Sequence, residues 1–251
     1  MSALFYFVFK MGVFFKFCKK SILNIFVKPF RLENYFEHFE FVANQSLSII
    51  LLTGIFTGMA LAHQMYLGFI RFNAADLVGP LVAVGVAREL GPVLTGLIVS
   101  ARAGGAMAAR LGSMRVTTQI DALEVMGVRP LHFLVSPRVL AGFLGLPILC
   151  AVFDLIAIMG AYVICIGLLS LDPAVFWQQI QNIFKMSDVY EGLFKSFIFG
   201  GTFSLICCYK GYFAKGGAKG VGDSTNLGIV YSMVTIIIMD FFLSNLIKLV
   251  R

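Results

Sequence analysis

Five long apolar stretches run along this chain, and shorter polar segments separate them. Each stretch reaches the length of about 20 residues that an α-helix needs to cross the hydrocarbon core of a bilayer. None shows the strict alternation of apolar and polar residues that is typical of a membrane β-strand. The pattern predicts five transmembrane helices, at residues 43–66, 77–108, 138–169, 189–213 and 227–247.

The segments that flank these stretches predict shorter elements. Phe and Lys interleave within residues 1–40, which favours an amphipathic helix lying in the membrane interface. Residues 170–187 carry the single tryptophan, Trp177, and predict a second interfacial helix. The polar, Gly-rich segment 210–226 predicts a loop. Pro147 lies within the third stretch and indicates that this helix is tilted or broken.

Composition narrows the fold class. Of the 251 residues, 59% are hydrophobic and only 13% are charged, whereas soluble domains carry about 25% charged residues. A soluble fold of this size could not bury so much apolar surface. We therefore expect an all-α integral membrane protein that forms a single domain over residues 1–251, with no internal repeat.

The net charge of +7 is distributed unevenly along the chain. Lys and Arg concentrate in the N-terminal segment, in residues 109–138 and in residues 210–219, and they are sparse in the alternate segments. The positive-inside rule places these three segments, and with them the N-terminus, in the cytoplasm. This distribution accounts for the basic charge without a nucleic-acid partner. The five cysteines form no CxxC pair, which favours neither a disulfide framework nor a metal site.

Charges within or beside the apolar stretches are the main candidates for function, because a charge inside a membrane is costly. They are Arg88, Glu89, Arg102, Asp154 and Asp240. Adjacent residues on a helix point about 100° apart, so we expect Arg88 and Glu89 to have separate partners. Arg88 could meet Asp154 or Asp240 on a neighbouring span. A structural ion pair is the alternative interpretation of these charges.

Residues 112–127 predict a short amphipathic helix between the second and third spans. Thr118 and Asp121 fit a capping box, in which the side chains bond to free amides at the helix start. Such a helix could rest on the membrane surface or dock into a groove of a soluble partner. Its apolar face would be formed by Ile120, Leu123 and Met126.

Small residues recur at helical spacing in the first span, at Gly54, Gly58 and Ala62. This spacing lets two helix backbones approach closely. Helix packing is the simpler interpretation, and a subunit or substrate contact is the functional one. The chain also lacks a Walker A motif, so any ATP that drives this protein must be bound by another subunit.

The central region of the chain strongly resembles the signature of the MlaE-type permeases, which are also called YrbE-like permeases. The resemblance covers residues 87–141, ARELGPVLTGLIVSARAGGAMAARLGSMRVTTQIDALEVMGVRPLHFLVSPRVLA. It implies the permease subunit of an ABC transporter that moves phospholipids between inner and outer membranes and maintains outer-membrane lipid asymmetry. It also implies a bacterial inner membrane, with the plastid inner envelope as the alternative.

The resemblance further implies the partners of the chain. These are a second copy of the chain, cytoplasmic ATPases that bind the ATP and Mg²⁺, a periplasmic ring of MCE-domain subunits, and the phospholipid itself. The permease would bind no cofactor or metal and would not be an enzyme.

Two sets of site residues follow from the charge pattern and the resemblance together. The lipid pocket and its polar cavity would include Arg88, Glu89, Gly54, Gly58, His63 and Gln64. The helix of residues 112–127 corresponds to the coupling helix that contacts the ATPase. Its contact residues would be Arg115, Thr118, Ile120, Asp121, Leu123, Glu124 and Met126.

Two other function classes stay open at this point. The carboxylates of Glu89, Asp154 and Asp240 could act as proton relays in a secondary transporter. Such transporters often contain paired repeats, and the sequence shows none. The remaining class is a scaffold that transports nothing and anchors other envelope proteins.

Overall fold

The computed structural model describes residues 2–27 and 32–250. Within them the backbone is mostly helical and forms no β-strand, so the all-α prediction is confirmed. Five helical segments are long and apolar enough to cross a membrane, which confirms the predicted number of spans. These segments are Leu32–Phe72, Ala75–Val116, Leu131–Gly167, Met186–Tyr212 and Gly217–Leu249.

Ten α-helices make up the described part of the chain. In chain order they are α1 (Ser2–Leu23), α2 (Leu32–Phe69), α3 (Val78–Gly85), α4 (Gly91–Val99), α5 (Gly105–Val116), α6 (Gln119–Val125), α7 (Ser136–Gly167), α8 (Pro173–Ile183), α9 (Met186–Tyr212) and α10 (Gly217–Val250). Short 3-10 turns occupy Asn24–Phe26, Ile70–Phe72 and Ala75–Leu77.

The second span, Ala75–Val116, is one helical rod that changes its hydrogen-bonding pattern twice; we call it span 2. Two π-helical turns, Val86–Leu90 and Ser100–Gly104, join α3 to α4 and α4 to α5. A third π-turn, Leu131–Val135, leads into α7. Such turns are rare in proteins, and those that do occur are often found at functional sites.

The helices α7 and α9 lie at the centre of the bundle. α2 packs along α7, α9 packs against both α7 and α10, and α5 contacts α9 and α10. Phe153, Phe199 and Phe203 are fully buried in this core. By contrast, α2 and α10 expose large apolar side chains such as Phe56 and Ile238, as expected for helices that face lipid or another membrane helix.

Glycines permit two very close helix contacts in the core. A Cβ atom at Gly58 of α2 would overlap the backbone oxygen of Ala157 in α7. Gly142 of α7 and Gly200 of α9 face each other, and a Cβ on either would overlap the backbone oxygen of the other. Only glycine fits at these crossings, so the small residues of the first span serve helix packing.

The N-terminal region does not form one continuous interfacial element. α2 already begins at Leu32, and residues 28–31 lie outside the described residues. α1 docks on the bundle through Phe17, which is 5% exposed and contacts the Tyr209 ring edge-on. Burial at this contact raises the pKa of the Cys18 thiol to about 11. The position of α1 in the membrane interface stays a prediction.

Two other sequence expectations differ from the structure. α7 passes Pro147 without a break, because the surrounding helix packs on both α2 and α9, whereas its tilt in the membrane stays a prediction. The loop expected at 210–226 is much shorter, since α10 already begins at Gly217. Packing against α5 accounts for the extra helix, where Gly112 lies against Val221. The segment 170–187, by contrast, contains the helix α8, as predicted.

Candidate functional site

Six ionisable side chains meet inside the bundle where span 2, α9 and α10 come together. We call them the charged cluster; they are Arg88, Glu89, Asp188, Glu191, Lys195 and Asp240. The cluster lies in the half of the bundle opposite to α6, because α9 begins and α10 ends there. It contains four carboxylates and two cations, so its formal charge is negative when all of the groups are ionised.

Lys195 is the centre of this cluster, and its side chain is completely buried. Its Nζ donates to Glu89 Oε2 at 2.9 Å and to Ser244 Oγ at 2.7 Å. The carboxylates of Glu191 and Asp240 lie 3.8 and 3.5 Å away. One ammonium group therefore joins span 2, α9 and α10, and a buried charge of this kind is stable only while its partners remain in place.

The first π-turn of span 2 supplies a further ligand to Lys195. The Nζ atom also donates to the backbone oxygen of Arg88, which lies within that turn, at 2.9 Å. The residue four positions later is Pro92, which has no amide hydrogen, so the usual helical donor is not available to this oxygen. Lys195 takes the place of that donor, and the same ammonium group also binds the Glu89 carboxylate.

Arg88 has a different partner from the two that the sequence suggested. Its Nη2 and Nε donate to Asp188 Oδ1 at 2.6 and 3.0 Å, so neither Asp154 nor Asp240 is the partner. Asp188 is itself fixed at the start of α9, because its Oδ2 accepts from the backbone amide of Lys185 at 3.0 Å. Arg88 and Glu89 do point to separate partners, as the helical geometry requires.

A cavity of about 210 Å³ opens on the charged cluster. The Arg88 and Glu89 side chains are 30% and 40% exposed, whereas those of Asp188 and Lys195 are buried. The cavity is therefore lined by the partly exposed Arg88 and Glu89 and by the exposed Lys248, and a buried ionic network lies behind them. Its lining is formed by Val84, Gly85, Arg88, Glu89, Glu191, Ile247 and Lys248.

Asp154 and Arg102 lie away from the charged cluster. Asp154 packs against Gly91, and its Oδ2 accepts from Cys150 Sγ at 3.7 Å. Within the described residues its Oδ1 has no hydrogen-bond partner. Arg102 Nη1 donates to Gln45 Oε1 at 3.1 Å, and its Nη2 donates to the backbone oxygen of Phe41.

Four residues expected in the lipid pocket do not contribute to the charged cluster. Gly54 and Gly58 face α7, where Phe153 and Ala157 are their nearest neighbours. His63 and Gln64 are exposed on α2. The GxxxG spacing thus marks a helix crossing, and pocket roles for His63 and Gln64 stay predictions.

The segment 112–127 is divided between two helices. α5 continues to Val116, and α6 follows after a tight turn at Thr117 and Thr118. The expected capping box does not form, because Thr118 has a φ of 59° and its hydroxyl donates to the backbone oxygen of Thr117. Asp121 accepts instead from Arg115 Nη1 at 2.6 Å, which ties α6 to α5.

The faces of α6 also differ from the expected pattern. Ile120 is completely buried and Leu123 is half-buried against the core. Met126 lies beyond the helix end and is 68% exposed, next to Val125, which is 89% exposed. The helix is too short to keep all three predicted residues on one face, and its exposed end carries an apolar surface.

A second cavity, of about 560 Å³, lies between α1 and the end of α6. Tyr212 closes one side, and its hydroxyl donates to Glu124 Oε1 at 3.4 Å. The other lining residues are Lys20, Asn24, Gly127, Val128, Arg129, Pro130 and Leu131.

Sequence reasoning missed half of the charged cluster. Asp188, Glu191 and Lys195 lie in the stretch SDVYEGLFK; Asp188 precedes the predicted fourth span, and the other two lie near its start. The spacing of Glu191 and Lys195 could have revealed this pair in the sequence. Residues four apart lie on the same face of a helix, where opposite charges can form an ion pair.

A family model described as Permease MlaE matches residues 35–246 of the chain. A probable ABC transporter permease protein of Rickettsia prowazekii is 37% identical over 236 residues, which cover 94% of this chain and 91% of that protein. A probable ABC transporter permease protein of Synechocystis is 39% identical over 222 residues, 88% of this chain and 84% of that protein. The intermembrane phospholipid transport system permease protein MlaE of Haemophilus influenzae is 36% identical over 201 residues, 80% of this chain and 77% of that protein. This chain therefore belongs to the MlaE family of ABC transporter permeases.

Proposed function

We propose that this permease moves phospholipids between the inner and outer membranes of a bacterial envelope and thereby maintains the lipid asymmetry of the outer membrane. The observation that carries the proposal is the charged cluster beside a cavity, within a bundle whose remaining surface is largely apolar. The name of the Haemophilus relative, an intermembrane phospholipid transport permease, supports the same substrate class.

The chemistry of the cavity fits a phospholipid headgroup. Arg88 would donate to the phosphate, because guanidinium groups match phosphate oxygens in charge and geometry. Glu89 would face a cationic part of the headgroup, and the acyl chains would lie along apolar side chains of the spans. Lys195 would not contact lipid; it would hold Glu89 and α10 in position.

ATP would act on this chain through a separate subunit. We propose that cytoplasmic ATPases, which bind ATP and Mg²⁺, dock on the exposed end of α6 at Val125 and Met126. Movement of α6 would pass to α5 through the buried Ile120 and the Arg115–Asp121 ion pair. α5 continues into span 2, so the same rod leads to Arg88 and Glu89.

We expect two further partners in the lipid pathway, a second copy of the chain and a periplasmic ring. A second copy of the chain would cover exposed apolar faces of the bundle and close the lipid pocket between the two permeases. A periplasmic ring of MCE-domain subunits would receive lipid at the end opposite to α6. The multi-pass helices and the bacterial relatives support an inner-membrane location.

Charge substitution at Glu89 tests the proposed function. We expect Glu89→Lys to abolish ATP-driven phospholipid transfer from proteoliposomes that contain the permease and its ATPase, because it adds a third cation to a cavity that Arg88 and Lys248 already line, beside the buried Lys195. Glu89→Gln should retain partial transfer, since the amide still accepts a hydrogen bond from Lys195.

Transfer that continues without the ATPase and follows a proton gradient would overturn the proposal in favour of a proton-coupled transporter. Absence of lipid transfer by the wild-type assembly, with intact ATP hydrolysis, would favour the scaffold instead. Size-exclusion chromatography of both variants would show whether the permease remains folded.

A further inference from the structure

A pair of arginines lies at the end of the bundle that carries α6, far along span 2 from the charged cluster. Arg102 belongs to the second π-turn, and Arg110 lies two helical turns later in α5. Their guanidinium carbons stand 4.9 and 4.5 Å from the centroid of the same ring, Phe41 of α2. Both cations therefore lie around one aromatic ring, and Arg110 acts as a like charge on Arg102.

Neither arginine of this pair forms an ion pair within the described part of the chain, and the buried Arg138 is a third cation near Arg110. Neither arginine has a carboxylate within 4.0 Å there. Arg102 uses its Nη atoms on Gln45 and on backbone oxygens, but its buried Nε has no acceptor among the described residues. Arg110 is exposed, and a guanidinium group next to a second, partly buried one is suited to bind a phosphate group.

An apolar track begins at the same position on α2. Gln45, Ile49, Leu52 and Phe56 are spaced by four, three and four residues, so they share one helix face. Ile49, Leu52 and Phe56 are 41%, 60% and 63% exposed. From Gln45 to Phe56 the helix rises about 16 Å, roughly half of the 30 Å hydrocarbon core of a bilayer.

We propose that Arg102 and Arg110 bind the phosphate of a glycerophospholipid, with an acyl chain along Ile49, Leu52 and Phe56. The site faces the leaflet at the α6 end, which the distribution of Lys and Arg identifies as the cytoplasmic leaflet. It is distinct from the charged cluster and gives the permease a second headgroup position on the same span. The inference rests on the proposed function only for the substrate class.

Native mass spectrometry of the purified full-length chain tests this site. The probes are dioleoyl phosphatidylglycerol, dioleoylglycerol with the same acyl chains but no phosphate, and inorganic phosphate. We expect retention of phosphatidylglycerol and none of dioleoylglycerol. Arg110→Gln should weaken phosphatidylglycerol retention roughly tenfold, the effect of losing one charge-assisted hydrogen bond, and Arg110→Lys should restore part of it.

Lys19→Gln is the matched control, because it removes one exposed positive charge of α1 at the same end of the molecule. We expect it to leave retention unchanged. Equal weakening by Lys19→Gln and Arg110→Gln would overturn the site in favour of diffuse surface charge. Competition by inorganic phosphate with no contribution from the acyl chains would overturn it in favour of a free anion. Unchanged melting temperatures would show that the variants are folded.

The outcome can be separated from that of the proposed function. A wild-type assembly that transfers no lipid, although the chain retains phosphatidylglycerol through Arg110, would defeat the transport proposal and leave this site standing. If the wild-type assembly transfers lipid normally and Arg110→Gln leaves phosphatidylglycerol retention unchanged, the transport proposal stands and this site is overturned.

Discussion

At the scale of single residues, Lys195 determines the geometry of the charged cluster. It is completely buried, and it holds a carboxylate of span 2, a backbone oxygen of the π-turn and a hydroxyl of α10 with one ammonium group. Removing it would leave Glu89, Glu191 and Asp240 close together with no cation between them. Asp240 is less critical, because Lys195 keeps its other partners without it.

We therefore expect Lys195→Met to destabilise the permease by about 3 kcal/mol, the typical cost of uncompensated buried charge. Asp240→Asn keeps the shape of the side chain and removes one of four carboxylates, so its effect should stay below about 1 kcal/mol. Thermal unfolding of both variants in the same detergent measures the difference. Equal destabilisation by the two substitutions would mean that Lys195 is not the organising charge.

The sequence identified Arg88 and Glu89 because a charge inside an apolar stretch stands out. It missed Lys195 because this residue follows the polar start of α9 by only a few positions. The ion-pair partners on other helices could not be predicted from the sequence, because they depend on how the helices pack. Arg88 accordingly meets Asp188, which no local pattern connects to it.

At the scale of elements, α6 combines a buried anchor with an exposed end. Ile120 inserts into the core, while Val125 and Met126 project outward. The sequence predicted a helix between the second and third spans. It could not predict that Thr118 adopts a left-handed conformation, so that α6 begins only at Gln119, or that the helix ends at Val125, before Met126.

Val125→Asp should weaken association with the ATPase without unfolding the permease, because the side chain is 89% exposed. Co-purification of the ATPase and lipid-stimulated ATP hydrolysis measure the loss, which we expect to be about tenfold in affinity. Phe72→Asp is the control; it changes an equally apolar, 79% exposed residue at the opposite end of the bundle. If both variants retain the ATPase equally, α6 is not the docking element.

At the scale of the whole molecule, the five candidate spans predict that the two ends of the chain lie on opposite sides of the membrane. The number of spans was predictable, because apolar length alone decides it. The order of helix neighbours was not, since contacts such as that between Gly142 and Gly200 join residues far apart in sequence. From the unequal distribution of Lys and Arg we predict that the N-terminus lies in the cytoplasm.

Reporter fusions in a bacterium check that direction. A fluorescent protein that folds only in the cytoplasm should fluoresce at the N-terminus, and alkaline phosphatase should be active at the C-terminus. Two fusions serve as controls and should be inactive: alkaline phosphatase at the N-terminus and the fluorescent protein at the C-terminus. Reversed activities would invert the proposed topology and move the arginine pair to the periplasmic leaflet.

The π-turns of span 2 have a consequence for the helical wheel. Each adds one residue to a turn, which shifts the angular phase of everything that follows by about 100°. A helical wheel drawn for the whole span with a constant rotation of about 100° per residue is therefore wrong. It places residues of α3, α4 and α5 on the same side although they point in different directions. Deleting one residue within 86–90 would remove only the first of the two phase shifts, and it would rotate α3 relative to α4 and α5. The exact number of residues in span 2 therefore determines which side chains face the charged cluster, and the amino-acid composition of the span does not.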